Sequence, residues 1–153
     1  MSKIDDALNT FTYGVYIVSG KRGDAINALT CAWVTSVSID PPLVAVAIGK
    51  PRFTHDFVKE GNAFAVSVLA QGQEDIGRHF GRVSGRDEDK FSRYEHESKS
   101  TGAPILKDCA AWLDCRLIHS YDAGDHTIFV GEVIDAGTSG KQPLVFNSKD
   151  YFG

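Results

Sequence analysis

Three short stretches of this chain carry residue types that could do chemistry. The first is Lys50-Pro51-Arg52-Phe53-Thr54-His55, with two cations just before a helix start. A helix start exposes unpaired N–H groups at the positive end of its dipole. Lys50, Arg52, Phe53, Thr54 and His55 therefore suit one phosphate, although a capped helix with two solvated cations has the same spelling and is the commoner outcome. The second runs from Asn27 to Ser36 and interleaves small and polar residues with one aromatic: Asn27, Thr30, Cys31, Ala32, Trp33, Thr35 and Ser36. A flat heteroaromatic ligand needs such a wall, with hydroxyls and amides for its polar edge and apolar groups for its face. An amphipathic strand with Trp33 in the core also fits, and is again commoner. The third is Gly124-Asp125-His126. An imidazole after a tight turn is placed to meet an external substrate, or is a plain surface histidine. His79, Phe80 and Gly81 either touch a ligand or end a helix.

Other chemistries are poorly supported. His55, His79, His96 and His119 lack metal-ligand spacing. Cys31, Cys109 and Cys115 form no C-x-x-C, so neither a zinc site nor a disulfide framework is expected. No depressing charge stands beside Cys31, which reads as a small buried residue rather than a reactive thiol. Free thiols suit a reducing compartment. No G-x-S-x-G, H-E-x-x-H or P-loop occurs, and no G-x-G-x-x-G follows a strand. A net charge of −4 argues against a nucleic-acid partner, which would need clustered Lys and Arg. The first residues lack an apolar signal region and no run is long enough to span a membrane, so a cytoplasmic protein is expected.

The frame that must position these stretches is a single domain over residues 1–153, of ordinary composition at 42% hydrophobic and 24% charged. Ser2 can cap a short helix whose Ile4, Leu8 and Phe11 share a face. The β-branched and aromatic run Val15–Val18 predicts a strand that turns at Lys21-Arg22-Gly23-Asp24. Leu29–Ile39 predicts one long strand stopped by Asp40-Pro41-Pro42. Leu43–Ile48 predicts a strand buried on both faces. A helix follows, with Thr54 as N-cap, Phe53 and Val58 as a staple and Gly61 as its stop. Phe64–Leu69 is another strand. Ile76 and Phe80 mark a short helix ending at Gly81. Gly85–Ser100 is polar and predicts an exposed excursion. Trp112–Tyr121 and Thr127–Ala136 predict an antiparallel pair joined by Asp122–His126, and Leu144–Phe146 a last short strand. About six short strands and three short helices, without regular β-α-β alternation, favour a mainly β antiparallel barrel.

The ordered set of these segments resembles the flavin reductase-like, FMN-binding split-barrel family. The carrying pieces are Thr12-Tyr13-Gly14-Val15, Asn27–Trp33, Asp40-Pro41-Pro42-Leu43-Val44, Phe53-Thr54-His55, Asp89-Lys90-Phe91, Cys115, Gly124-Asp125-His126, Gly131-Glu132-Val133, Pro143-Leu144 and Tyr151. The resemblance covers nearly the whole chain and reverses the balance for the first two stretches. It implies a Greek-key split β-barrel with a few short helices, a homodimer, and FMN (FAD being possible) near the dimer interface, with NAD(P)H as co-substrate. It further implies that Thr30-Cys31-Ala32-Trp33 lines the isoalloxazine and that Thr35-Ser36 and Lys50–His55 approach the ribityl phosphate. Phe80, Gly81 and Tyr151 join the cofactor set, and His126 lies where the nicotinamide approaches. The similarity is strongest to flavin domains that act with rubredoxin and to flavoredoxin-like electron carriers. No paired C-x-x-C occurs, so a stand-alone flavin domain is expected, with a separate redox partner such as a rubredoxin or a monooxygenase. An NAD(P)H:flavin oxidoreductase is the first expectation, and an FMN-binding electron-transfer protein the alternative.

Overall fold

The structure, a computed structural model, describes residues 2–86 and 89–152, apart from the side chains of residues 151 and 152. Helix α1 (Lys3–Leu8) opens with a capping box, in which Ser2 Oγ accepts the Asp5 N–H at 3.1 Å and the Asp5 carboxylate accepts the Ser2 N–H at 3.2 Å. Strands β1 (Tyr16–Arg22) and β2 (Ala25–Cys31) form a hairpin, followed by β3 (Val34–Ser38) and β4 (Leu43–Gly49). Helix α2 (Phe53–Gly61), strand β5 (Ala63–Val68) and helix α3 (Glu74–Arg82) come next. A 3-10 turn at Lys90–Arg93 leads to β6 (His96–Ser98) and β7 (Pro104–Leu106). The long hairpin β8 (Ala111–Ala123) and β9 (His126–Thr138) precedes the short helix α4 (Lys149–Phe152).

Seven strands share one sheet in the order β2-β1-β5-β8-β9-β4-β3, and β6-β7 form a separate ribbon. All the ladders are antiparallel. Strands β2 and β3 stand at opposite ends of this order, yet only Ala32 and Trp33 separate them. The sheet must therefore curl until its two ends meet, which is a barrel. Trp33 O accepts the Ala47 N–H at 3.0 Å, pinning the corner to β4. Val18, Leu29, Val46, Ile48, Phe64, Val66 and Phe129 fill the interior with side chains. A second cluster, including Ile17, Ala28, Phe80, Phe91 and Leu106, lies outside the barrel under α3 and the excursion that follows it. The architecture is mainly β with a few short helices, as the sequence predicts.

Several local expectations change. Leu29–Ile39 is two strands, not one, because the chain must cross from one end of the sheet to the other at Ala32-Trp33. Strand β4 alternates: Val44, Val46 and Ile48 face the interior while Leu43, Ala45 and Ala47 are only half-buried. Consecutive burial on both faces occurs instead in β1, at Ile17–Gly20, and in β5, at Ala63–Ser67. Thr54 is not the N-cap of α2; Arg52 holds that position, and Thr54 Oγ1 instead accepts a hydrogen bond from Asn27. The helix stops at Asn62 in the left-handed region (φ 54°), and Gly61 is glycine because a Cβ there would run into the Lys21 carbonyl oxygen. Among the described residues of the 85–100 excursion, Lys90 and Phe91 are buried rather than exposed. Leu144–Phe146 forms no strand; it is tied by the isolated bridges Gly14–Val145 and, just before it, Ala70–Pro143. Ile4, Leu8 and Phe11 are exposed, 71%, 50% and 60% accessible, and belong to none of the buried clusters, although the Phe11 ring lies 6.4 Å from that of Tyr13.

Candidate functional site

Where β2 turns the corner into β3, a cavity of about 650 Å³ opens between the strand wall, α3 and the β8–β9 turn. Its wall is Leu29, Thr30, Cys31, Ala32 and Trp33, with Ala47 and Gly49 of β4 beside them. Thr30 Oγ1 donates to Gly77 O at 2.6 Å, which draws α3 against β2. Gly77 and Gly81, one turn apart, keep that helix face flat enough to leave the space open. Cys31 Sγ lies 3.5 Å from Ala47 O, and burial pushes its thiol up to about 11. Cys31 is thus a protonated, inert part of the wall at neutral pH.

At the lip stands a ring pair. Trp33 is half-exposed rather than in the core, and its ring centroid lies 4.7 Å from that of His126. Gly124 takes φ +64° in the two-residue turn, so His126 is the first residue of β9 and opposes Ala123. His126 Nδ1 lies 2.6 Å from Asp125 Oδ1, and that hydrogen bond holds the Asp125 carboxyl below its usual range. With its Nδ1 proton shared with Asp125, the ring presents Nε2 on the side of Gly49.

A second cavity of about 210 Å³ adjoins the first through Pro51, Arg52, Gly81 and Arg82. Asn27, Phe53, Thr54, Val83, Ser84, Gly85, Arg86 and Lys90 complete its lining. Asn27 Nδ2 donates to Thr54 Oγ1 at 3.0 Å, joining β2 to α2. Gly85 packs so closely on Asn27 that a Cβ would collide with the amide. Arg86 stacks on Phe53 at 4.7 Å and donates weakly to Pro51 O at 3.4 Å. Lys90 is 3% exposed, its Nζ donating to Ala28 O at 2.8 Å and to Phe80 O at 3.0 Å. Burial, then the nearby Arg52 guanidinium, pulls Lys90 down to about 8. Among the described residues, no carboxylate forms an ion pair with Arg52 or Lys90. A buried cation such as Lys90, with the half-buried Arg52 beside it and no carboxylate paired to either, is costly and favours an anionic ligand. The two cavities together fit a ligand with a flat, largely apolar body and an anionic tail. FMN has that shape and charge, and the larger cavity lies within the roughly 300–1,000 Å³ of organic-ligand pockets.

The structure brings Asn27, Thr30, Cys31, Ala32, Trp33, Arg52, Phe53, Thr54, Gly81 and His126 to these two cavities. The other candidates lie elsewhere. Thr35 and Ser36 are exposed on β3, beyond the corner. Lys50 pairs with Asp122 at 2.6 Å on the surface. His55 is buried against Phe129, its Nε2 2.7 Å from Thr127 Oγ1. Phe80 is wholly buried in the outer cluster. The Tyr151 side chain lies outside the described residues. Unforeseen are Tyr13, Arg78 and Arg82 at the first cavity, and Ser84, Arg86 and Lys90 at the second. Arg78 and Arg82, i and i+4 on α3, left a periodic trace in the sequence; Lys90 stood in the Asp89-Lys90-Phe91 piece of the resemblance, with nothing there to mark it as a site residue. Among the described residues, no helix is long and apolar enough to cross a membrane.

Residues 8–153 match the family described as flavin reductase like domain. The chain is 41% identical over 132 residues to a high molecular weight rubredoxin of Moorella thermoacetica, covering 85% of this chain and 58% of that protein. It is 35% identical over 142 residues to the FMN reductase (NADH) SmoA of Agrobacterium fabrum, 93% of this chain and 79% of that one. The NADH:FAD oxidoreductase SgcE6 of Streptomyces globisporus C-1027 superposes with a TM-score of 0.88 at 33% identity, over 95% of this chain and 87% of that one. The chain spans about half the length of two of the curated relatives it matches, 58% and 47%, and about a quarter of another, 24%.

Proposed function

We propose that this chain, which belongs to the flavin reductase-like domain family, binds FMN and acts as an NAD(P)H-dependent flavin reductase that passes electrons to a separate acceptor. The observation that carries this is the join between an apolar-walled cavity and a cationic one. FMN supplies the hydride-accepting centre that protein side chains lack. Leu29, Cys31, Ala32 and Trp33 would take its ring system, and Arg52, Thr54, Ser84, Arg86 and Lys90 its phosphate. His126 is held by Asp125 and backed by Trp33, so its ring is fixed at the open lip. There it would contact an incoming nicotinamide without transferring a proton, while Trp33 shields the lip from water. The wall thiol stays protonated and takes no part.

NADH appears in the names of the Agrobacterium and Streptomyces relatives, which supports a nicotinamide donor. The same two names divide between FMN and FAD, so FAD is the second flavin to try. The Moorella relative is named a rubredoxin, which supports a small redox protein as acceptor. The test is anaerobic mixing of the FMN-loaded chain with NADH, then with NADPH, followed by flavin absorbance. Bleaching by either supports the reductase. Bleaching by dithionite alone would leave an electron carrier, and failure to retain any flavin would remove both.

A further inference from the structure

The anion site has a feature that its charge alone does not explain. An ammonium has three N–H donors and a neutral amine has two. Lys90 already spends two, on Ala28 O and Phe80 O. These tie the segment after α3 to β2 and to α3, and a neutral amine can keep both. Only the charged form has a third donor, and Lys90 is among the residues that line the second cavity, with Asn27, Arg52 and Thr54.

We propose that Lys90 is the proton-linked member of a phosphate-dianion site: the flavin phosphate binds the charged ammonium and is released when the amine becomes neutral. This rests on the cavity pair being a flavin site and adds what regulates it. The groups facing Lys90 make it the titrating one. From the N-cap of α2, Arg52 faces it, with neutral Thr54 behind. From β2 come neutral Asn27 and Ala28, from α3 Arg82, and from the following loop Arg86. Arginines stay charged throughout. On its own segment, the Asp89 carboxylate accepts the Phe91 N–H at 3.0 Å. His79 Nε2 lies 2.9 Å from the Lys90 carbonyl oxygen, and the Tyr94 ring packs against His79 at 5.3 Å, so these are two further titratable groups on that side. Lys90 itself sits at about 8, held there by burial and by Arg52. A phosphate monoester loses its second proton near pH 6, so it is already a dianion across that range.

The test is equilibrium titration of the full chain with FMN and with riboflavin, followed by fluorescence quenching. The expected result is an FMN Kd about tenfold weaker at about pH 9 than at about pH 7, with riboflavin changing by less than about twofold. Lys90→Met should flatten the FMN profile and weaken FMN at the lower pH. If that variant does not fold, Lys90→Arg should keep FMN bound and also remove the slope, which it would not do if His79 were responsible. Flavin-free protein gives an independent readout. Its Lys90 lies below the usual 10.5, so the unfolded chain binds more protons above about pH 8. Melting temperature should then climb as pH rises from there, and Lys90→Arg should lose that climb. A wild-type FMN profile as flat as riboflavin's, or a slope that survives in Lys90→Arg, would overturn the proposal. Failure of both flavins to bind would remove the flavin assignment itself. Glycerol phosphate, titrated alone, then decides: binding with the same slope keeps Lys90 in its role, and no binding removes it.

Discussion

His126 shows how much one side chain depends on its neighbours. Its Nδ1 is engaged by Asp125 at 2.6 Å and one side of its ring by Trp33, so both tautomer and tilt are constrained. His126→Ala should slow reduction of bound FMN by saturating NAD(P)H by about tenfold, the worth of one lost hydrogen bond or ring contact. FMN affinity and reduction by dithionite should stay unchanged. A wild-type rate with nicotinamide would place His126 in the turn and nowhere else. The sequence placed this histidine in a five-residue connection, Asp122–His126; the turn is tighter than that, two residues, and His126 begins β9. The sequence could not place Trp33 against it, because the two are 93 positions apart in the chain and meet only through the β4–β9 pairing. Lys90 was opaque for the same reason, since its acceptor on β2 is 62 residues away. Its polar, charged surroundings in sequence suggest a solvated loop. His55 erred the other way: it stands beside Thr54 in sequence but faces Thr127 inside the fold.

Elements were legible where their signal was local. The Ser2 capping box, the helix starting near Phe53 and the β8–β9 hairpin all follow from neighbouring letters. The break at Ala32-Trp33 was not legible, because both halves alternate as one strand would; the break is imposed by closure of the barrel. Gly61 illustrates a signal that was right in position and wrong in cause. A stop glycine normally supplies a left-handed backbone, but here Asn62 does that, and Gly61 gives room for β1 to pass. Gly61→Ala should therefore force α2 away from the Lys21 carbonyl and destabilise the chain by about 1–3 kcal/mol, the usual cost of overpacking. Urea unfolding checks this. The Leu29–Trp33 wall lies toward the other end of β2 from Ile26, which pairs with Lys21, so riboflavin affinity of the folded variant should hold, while any shift at the start of α2 would show in FMN alone. A Gly61→Ala chain as stable as wild type would mean that the helix end yields freely.

At the scale of the whole molecule, the barrel interior is filled with side chains, so a bulky flat ligand has to lie outside it. The larger cavity is lined by strand on one side and by α3 on another, and two of its lining residues, Leu8 and Trp33, are exposed apolar side chains. Trp33 is 50% accessible, Val37 51% and Ile39 95%, all on or beside the β3 edge. Along α1 and just after it, Ile4, Leu8 and Phe11 are further exposed apolar residues, and Leu8 also borders the cavity. The half-buried outer residues of β4 lie next to that edge. A soluble monomer rarely leaves so much apolar surface beside a binding cavity, and the commonest way to cover it is a second copy about a two-fold axis. Such a copy would also supply the missing wall, which makes dimerisation and flavin binding mutually reinforcing. We predict a homodimer burying about 800 Å² per subunit or more, with Thr35 and Ser36, which do not reach this chain's own cavities, at the shared boundary. Light scattering during size exclusion should give twice the 16.6 kDa chain mass. Ile39→Lys should shift that mass toward the monomer and weaken FMN in parallel. A flavin-loaded monomer at micromolar concentration would show instead that one chain closes its own site.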